Sequence, residues 1–167
     1  MQILPLAVGN QWVYRGTSID TAGVIRDEGY DTNSVMRDTL TNGEQRYLVH
    51  FGFNLIFVNR PDGPWEQVDG RTNTWEMLRK YHAIKGDTFA WKGGIRVASI
   101  DTLITVPTGS YRSYHYTDAT PSPYKRSDDY MAPGVGFLKM EFRQRADTKA
   151  GSPFSYGKID LTSFRLH

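Results

Sequence analysis

Short glycine-containing turns divide this chain at regular intervals, and the segments between them have the length of β-strands. The turns lie at 21–23, 41–43, 61–64, 92–94, 108–109 and 149–151. Asn-Gly and Asp-Gly pairs, as at 42–43 and 62–63, supply the positive φ angles that tight hairpins need. The spacing of the turns therefore predicts a series of antiparallel hairpins.

The segments between the turns alternate in polarity, as strands with two different faces do. Tyr47, Val49 and Phe51 share one face of an early strand. The segment 95–106 is longer, and its apolar residues change faces midway, which predicts a bulge or bend near 99–102. Further strands are predicted at 110–116, 137–143 and 154–166.

Two segments do not follow this alternation. Residues 74–81 fit a strand and a short helix equally well, because short apolar runs are compatible with both periodicities. Residues 120–136 are rich in proline and glycine and contain two pairs of adjacent charges. For this second segment we expect a long irregular loop, and loops of that length are usually functional or mobile.

Composition supports an all-β fold and narrows the classes of function. Aromatic residues make up 13% of the 167 residues, and there are 16 glycines, which suits pleated sheets and tight turns. The formal net charge of +2 is too small for a nucleic-acid-binding surface, so no nucleic acid partner is expected. The absence of cysteine excludes disulfides, thiolate metal sites and cysteine nucleophiles. We predict one β domain over 1–167 without a transmembrane segment.

A short motif occurs twice in the chain. Residues 9–16 (GNQWVYRG) and 86–93 (GDTFAWKG) match in residue type at nearly every position. Each copy begins with a glycine and a small polar residue, which predicts a tight turn into a strand. Either one turn is used twice, or the chain is a duplication with halves near 1–80 and 81–167.

Three pairs of aromatic residues are spaced two residues apart: Trp12 and Tyr14, Phe89 and Trp91, and Tyr114 and Tyr116. In a strand, both rings of such a pair lie on the same face. Large rings usually form the core of a protein. The alternative is that these rings line an apolar ligand cavity or form an exposed platform that stacks on sugars.

No catalytic or metal-binding set of residues is recognisable. The four histidines, His50, His82, His115 and His167, are not spaced as metal ligands. Asp128 and Asp129 have no third acid at ligand spacing, so we expect a solvated loop rather than a cation site. Ser122 and Lys125 fit Ser-x-x-Lys but lack the helix that this motif requires. We predict no catalytic residues, no metal and no cofactor.

Four longer motifs are spread over most of the chain: Pro5-Leu6-x-x-Gly9-Asn10-x-Trp12-x-Tyr14, Gly86-Asp87-x-Phe89, Val106-Pro107-x-Gly109, and Tyr130-x-Ala132-Pro133-Gly134-Val135-Gly136 ahead of a strand with Lys139. Together they resemble a group of mostly uncharacterised bacterial secreted proteins and lipoproteins. Such proteins are similar, more distantly, to the LolA-like periplasmic lipoprotein carriers. In those carriers a strongly curved antiparallel sheet wraps an apolar concavity.

The resemblance implies an extracytoplasmic location, in the periplasm, at the outer membrane or outside the cell, and binding of a lipid or another apolar molecule. It implies no catalytic residues. The chain departs from the lipoprotein pattern, because residues 1–5 lack the basic start and apolar core of an intact signal peptide. There is also no cysteine to accept a lipid.

We therefore predict an all-β antiparallel meander that forms a strongly curved open barrel or half-barrel. Its predicted function is that of a non-enzymatic extracytoplasmic binding protein with an apolar or amphipathic, lipid-like ligand on the concave face. The predicted ligand contacts are Trp12, Tyr14, Phe89, Trp91, Tyr114 and Tyr116. The alternative is a structural, adhesion or carbohydrate-binding module of the bacterial cell envelope. A third hypothesis is an enzyme that uses Asp128 and Asp129.

Overall fold

The described chain forms two series of antiparallel hairpins, one before and one after residues 78–87. The structure is a computed structural model that describes residues 2–90, 94–120, 122–145 and 154–167. These residues contain no helix. The strands are β1 (Gln11–Ile19), β2 (Ile25–Thr41), β3 (Glu44–His50), β4 (Asn54–Arg60), β5 (Gly63–Asp69), β6 (Thr74–Met77), β7 (Thr88–Phe89), β8 (Ile95–Val106), β9 (Gly109–Asp118), β10 (Lys125–Ala132), β11 (Gly136–Arg145) and β12 (Phe154–Arg165).

The strands form one antiparallel sheet that curls into a nearly closed barrel, as predicted. Consecutive strands pair from β1 to β6 and from β7 to β12. The first strand also pairs with the last, in a register that runs from Gln11 opposite Arg165 to Ile19 opposite Tyr156. The sheet order is therefore β6-β5-β4-β3-β2-β1-β12-β11-β10-β9-β8-β7. Its two edge strands, β6 and β7, leave one unsealed seam.

The strand alternation places large apolar side chains inside the barrel. On β1, the side chains of Trp12 and Tyr14 are buried, while that of Arg15, the next residue, is exposed. Neighbouring strands add further buried side chains to the same core, among them Val35, Val49, Phe57, Val97, Tyr116, Met131, Leu138 and Leu161. Because these residues come from distant parts of the chain, the core holds both sides of the barrel together.

The predicted bulge in the long strand β8 is confirmed. The pairing of β8 with β9 shifts register between Val97 and Ser99 and again between Ser99 and Thr102. Each shift leaves one extra residue on β8, which bends the strand and interrupts the regular alternation of its side chains. This is why the apolar residues of β8 change faces midway.

Both irregular segments contain strands. In 74–81 the strand alternative is correct, with β6 at Thr74–Met77. The expectation of a long loop over 120–136 is wrong, because Lys125–Ala132 forms β10 between β9 and β11. Within β10, Asp129 and Met131 are buried while Asp128 and Tyr130 are more exposed, so this part of the segment alternates as a strand does.

The repeated motif forms a tight turn at its first copy. Gly9 has a φ of 92°, and the amide of Asn10 donates to the carbonyl of Ala7 over 3.0 Å. The turn is fixed to β2 by two backbone hydrogen bonds with Val35, from the Gly9 amide over 3.0 Å and to the Asn10 carbonyl over 2.9 Å. Positive φ is the reason why glycine stands here.

The second copy makes the same turn at the other end of the sheet. Gly86 has a φ of 97°, and the amide of Asp87 donates to the carbonyl of Ile84 over 3.1 Å. Val97 of β8 exchanges two hydrogen bonds of 2.8 Å with this turn, as Val35 does with the first. The shared turn is confirmed, whereas the division into halves at 80 and 81 stays a prediction.

Two segments outside the strands cover one end of the barrel. At the N-terminus, the Gly134 amide donates to the Gln2 carbonyl over 2.7 Å, and Asn59 donates to the Leu4 carbonyl over 3.1 Å. Ile3 and Leu4 are consequently buried.

The second segment joins β6 to β7 over residues 78–87. Its start follows β5, since Leu78 donates to the Pro64 carbonyl and Tyr81 to the Asp62 carbonyl, both over 2.8 Å. The chain thereby turns inward at Arg79, which is fully buried. This turn brings a charged side chain into the barrel.

Candidate functional site

The two predicted rings of β1 point into the barrel and use their polar atoms. Trp12 donates from Nε1 to the Val135 carbonyl over 2.6 Å, and Tyr14 donates from its hydroxyl to the Phe137 carbonyl over 3.1 Å. Their exposed fractions are 1% and 6%. Burial raises the pKa of Tyr14, so its hydroxyl stays a neutral donor. These bonds connect β1 to the start of β11.

Three other predicted rings form a separate cluster. Tyr116 is buried and stacks on Tyr114, with ring centres 6.0 Å apart, and Phe89 meets Tyr116 edge to face at 6.2 Å. The Tyr116 hydroxyl donates to the Lys80 carbonyl over 2.7 Å. The cluster therefore packs β7 and β9 against the segment 78–87. Trp91, the sixth predicted ring, lies outside the described residues.

A buried ion pair crosses the barrel interior. Arg79 donates to the carboxylate of Asp129 on β10, and both side chains are almost completely shielded from solvent. The guanidinium group also lies over the rings of Tyr116 and Phe137, at 5.7 Å and 5.5 Å from their centres. The pair connects the segment 78–87 to the opposite side of the seam.

An apolar cavity of about 280 Å³ opens inside the barrel. It is lined by Tyr14, Asn33, Phe51, Phe53, Leu55, Phe57, Glu66, Leu78, Phe137, Lys139, Met140 and Ile159. Phe53, at the turn between β3 and β4, is 64% exposed and marks the mouth. The volume is near the lower end of the range of about 300–1,000 Å³ for small-molecule sites.

The cavity lining contains one deeply buried carboxylate. Glu66 of β5 is 6% exposed and stands opposite Phe57 of β4. The described residues supply no hydrogen-bond donor to its carboxylate, although Arg79 attracts it electrostatically. Lys139, the lining residue with a cationic side chain, donates to Glu141.

Asp128, the residue before Asp129 on β10, lies on the outer face of the barrel. It accepts hydrogen bonds from His115 over 2.7 Å and from Arg126 over 2.7 Å and 3.1 Å. Burial would raise the pKa of Asp128, but these hydrogen bonds outweigh it and lower the pKa to about 2. Since Asp129 points inward, the two aspartates do not converge on one reacting group.

The described residues contain neither a cluster of metal ligands nor a membrane-spanning helix. No three histidine or acidic side chains among them are close enough together to hold a metal ion. No helix in that part of the chain is long and apolar enough to cross a membrane.

Sequence reasoning did not identify Glu66 and Arg79, two charged residues that are buried inside the barrel. Glu66 occupies an inward position of β5, and Arg79 lies in the ambiguous segment 74–81, two residues after the end of β6. A charged residue at an inward strand position is a signal that could have found Glu66. Of the predicted rings, Tyr14 borders the cavity, while Trp12, Phe89, Tyr114 and Tyr116 are not part of its lining.

Comparisons with known proteins support the fold. No protein-family model matches the sequence, and no curated protein matches it. Among solved structures, a protein of Bacteroides fragilis NCTC 9343 that is inferred to be exported and has a YmcC-like fold shares 10% identity with this chain. The match covers 98% of each chain with a TM-score of 0.58.

A protein of Parabacteroides distasonis ATCC 8503 that is inferred to be a lipoprotein is also similar. It shares 11% identity, with 98% of each chain covered and a TM-score of 0.52. At these identities the likeness concerns the fold. The chain therefore has the same β architecture as these two proteins over nearly its whole length.

Proposed function

We propose that this protein is a non-enzymatic binding protein that holds the apolar part of a small amphipathic molecule inside its barrel. The observation that carries the proposal is the 280 Å³ cavity with a mouth at Phe53. Its walls are formed mainly by apolar side chains such as Phe51, Leu55, Phe57 and Ile159. Burying an alkyl chain against them is favourable by about 25 cal/mol for each Å² removed from water.

We further propose that the protein works outside the cytoplasm. The two similar solved proteins are inferred to be an exported protein and a lipoprotein, which supports this location. The sequence resemblance to secreted proteins and, more distantly, to LolA-like carriers supports the same location. A curved sheet around an apolar interior is the feature that such carriers use.

The proposal is tested by competition for the cavity. The purified protein is titrated with the apolar fluorophore N-phenyl-1-naphthylamine, and decanol is then added as a competitor. We expect fluorescence enhancement that decanol reverses. Ile159→Trp places a large ring in the cavity and should weaken dye binding at least tenfold. Leu103→Trp, at a position of β8 that is 66% exposed, is the matched control and should bind normally.

Two results would overturn the proposal. One is a wild-type protein that neither binds the dye nor carries an apolar molecule detectable by native mass spectrometry after purification. The other is unchanged binding in Ile159→Trp. Either result would favour the structural or adhesion alternative.

A sugar-stacking platform is less well supported by the same rings. Trp12 and Tyr116 each expose 1% of their surface, so their faces are not available to a carbohydrate. A sugar-binding platform needs exposed ring faces, which these two rings do not offer.

A further inference from the structure

The cavity holds a negative charge that the fold leaves without a hydrogen-bonding partner. Glu66 is more than nine-tenths buried and forms part of an otherwise mainly apolar lining. A buried carboxylate is normally paired or hydrogen-bonded, because removing it from water is costly. No described residue donates a hydrogen bond to Glu66.

The nearby cationic side chains are already engaged. Arg79 attracts Glu66, but its guanidinium group is paired with Asp129. Lys139 donates its ammonium group to Glu141. The interior charges of Arg79 and Asp129 cancel, so Glu66 remains as an excess negative charge.

A second carboxylate lies beside Glu66 and increases this excess. Glu76 of β6 is directly opposite Glu66 in the pairing of β5 with β6. Side chains in opposite positions of an antiparallel pair lie on the same face, with Cβ atoms about 4.5–5.5 Å apart. Like charges in that arrangement repel each other, and a cation bound between them relieves the repulsion.

From this arrangement we propose that the ligand of the cavity is a cationic amphiphile, with an alkyl chain against the apolar walls and a protonated amine that donates hydrogen bonds to Glu66. The inference rests on the proposed function, since it names the class of molecule that the same cavity binds. An ammonium group supplies both the charge and the donors that Glu66 lacks. A fatty acid would instead add a third anion beside Glu66 and Glu76, so charge disfavours it.

The test compares three ligands with the same alkyl chain: decylamine, decanol and decanoate. Their dissociation constants are measured at neutral pH by calorimetry with the full chain. We expect decylamine to bind at least tenfold more tightly than decanoate, with decanol in between. In Glu66→Gln the preference for decylamine over decanol should disappear, while decanol binds as before and so reports an intact cavity. Glu28→Gln, which alters an exposed carboxylate paired with Arg15, is the control and should keep the preference.

The outcomes separate this inference from the proposed function. Equal binding of decylamine and decanoate, or an unchanged preference in Glu66→Gln, would overturn the inference while decanol binding still supports the cavity. Failure of all three ligands to bind to the wild-type protein would overturn both. A melting curve of Glu66→Gln that matches the wild type excludes misfolding as the cause of a lost preference.

Discussion

Asp128 and Asp129 are consecutive residues of β10, and they differ in orientation, in exposure to solvent and in their ion-pair partners. Asp128 faces outward, where His115 and Arg126 share its charge at the protein surface. Asp129 faces inward and is paired with Arg79 away from solvent. An outward ion pair can be replaced by water and is screened, whereas an inward charge that loses its partner stays buried without compensation.

This difference between the two aspartates indicates that the face of a strand, rather than the residue type, decides how much a charged contact contributes to stability. It predicts large effects for changes at the inner pair and small effects for changes at the outer pair. Variants test this ranking, and the free energy of unfolding of each is measured in urea.

The largest effect is expected for Arg79→Met. Without the guanidinium group, Asp129 is left as a buried charge, which should reduce the free energy of unfolding by about 3–5 kcal/mol. Adding Asp129→Leu to the same protein removes that charge and should restore most of the loss. Arg126→Met is the outward control, for which the loss should stay below about 1 kcal/mol. A loss in Arg79→Met as small as that of the control would contradict the distinction between the two faces.

A second test concerns the backbone that carries Arg79 inward. Gly63 and Gly109 have nearly the same φ, 137° and 135°, so alanine is strained at both positions by about 1–3 kcal/mol. At Gly63 an added Cβ would overlap the Arg79 carbonyl, whereas at Gly109 the nearest atom is 3.7 Å away, on Tyr111. The free energy of unfolding of Gly63→Ala should therefore be lower than that of Gly109→Ala by about 1–3 kcal/mol. Equal losses would show that the contact with Arg79 is easily relaxed.

The smallest effect is the acid sensitivity of the outer aspartate. The pKa of Asp128 is lowered to about 2 in the folded protein, below its ordinary value of 3.8. The stability it contributes is complete above the ordinary value and is lost as the pH falls through that value towards 2. After allowance for solvent screening we expect about 1 kcal/mol. Asp128→Asn should lose less stability than the wild type between pH 5 and pH 2.5, and identical losses would refute the assignment.

Local patterns were sufficient to predict most of the strands, the turns among the described residues and the bulge, but they missed β10 and left β6 ambiguous. The predicted turns at 92–94 and 149–151 lie partly or wholly outside the described residues. The turn at Gly9 and its copy at Gly86 were readable because positive φ is a local demand that glycine meets. The bulge near 99–102 was readable because face alternation involves neighbouring residues alone. The meander follows from these short-range rules, since each strand from β1 to β6 and from β7 to β12 pairs with the next one in sequence. The pairing of β1 with β12 does not follow from them.

The interior could not be predicted in the same way. Asp129 was assigned to a solvated loop because no third acid stood at ligand spacing. Its actual partner, Arg79, lies 50 residues earlier in the chain, beyond the reach of local patterns. The cavity combines Tyr14 of β1, Glu66 of β5 and Ile159 of β12, and the distances between such strands depend on how the sheet curls. The spacing of the ring pairs predicted that aromatic side chains face the interior of the barrel. It could not distinguish a ring that lines the cavity from a ring that is packed in the core.

The unsealed seam between β6 and β7 leaves the diameter of the barrel less strictly fixed than in a closed barrel. In a closed barrel, the number of strands and their stagger fix the diameter. Among the described residues no backbone ladder joins β6 to β7, and contacts such as the hydrogen bond from the Tyr116 hydroxyl to the Lys80 carbonyl bridge this joint. The wall is therefore free to widen here while the eleven strand pairings stay intact.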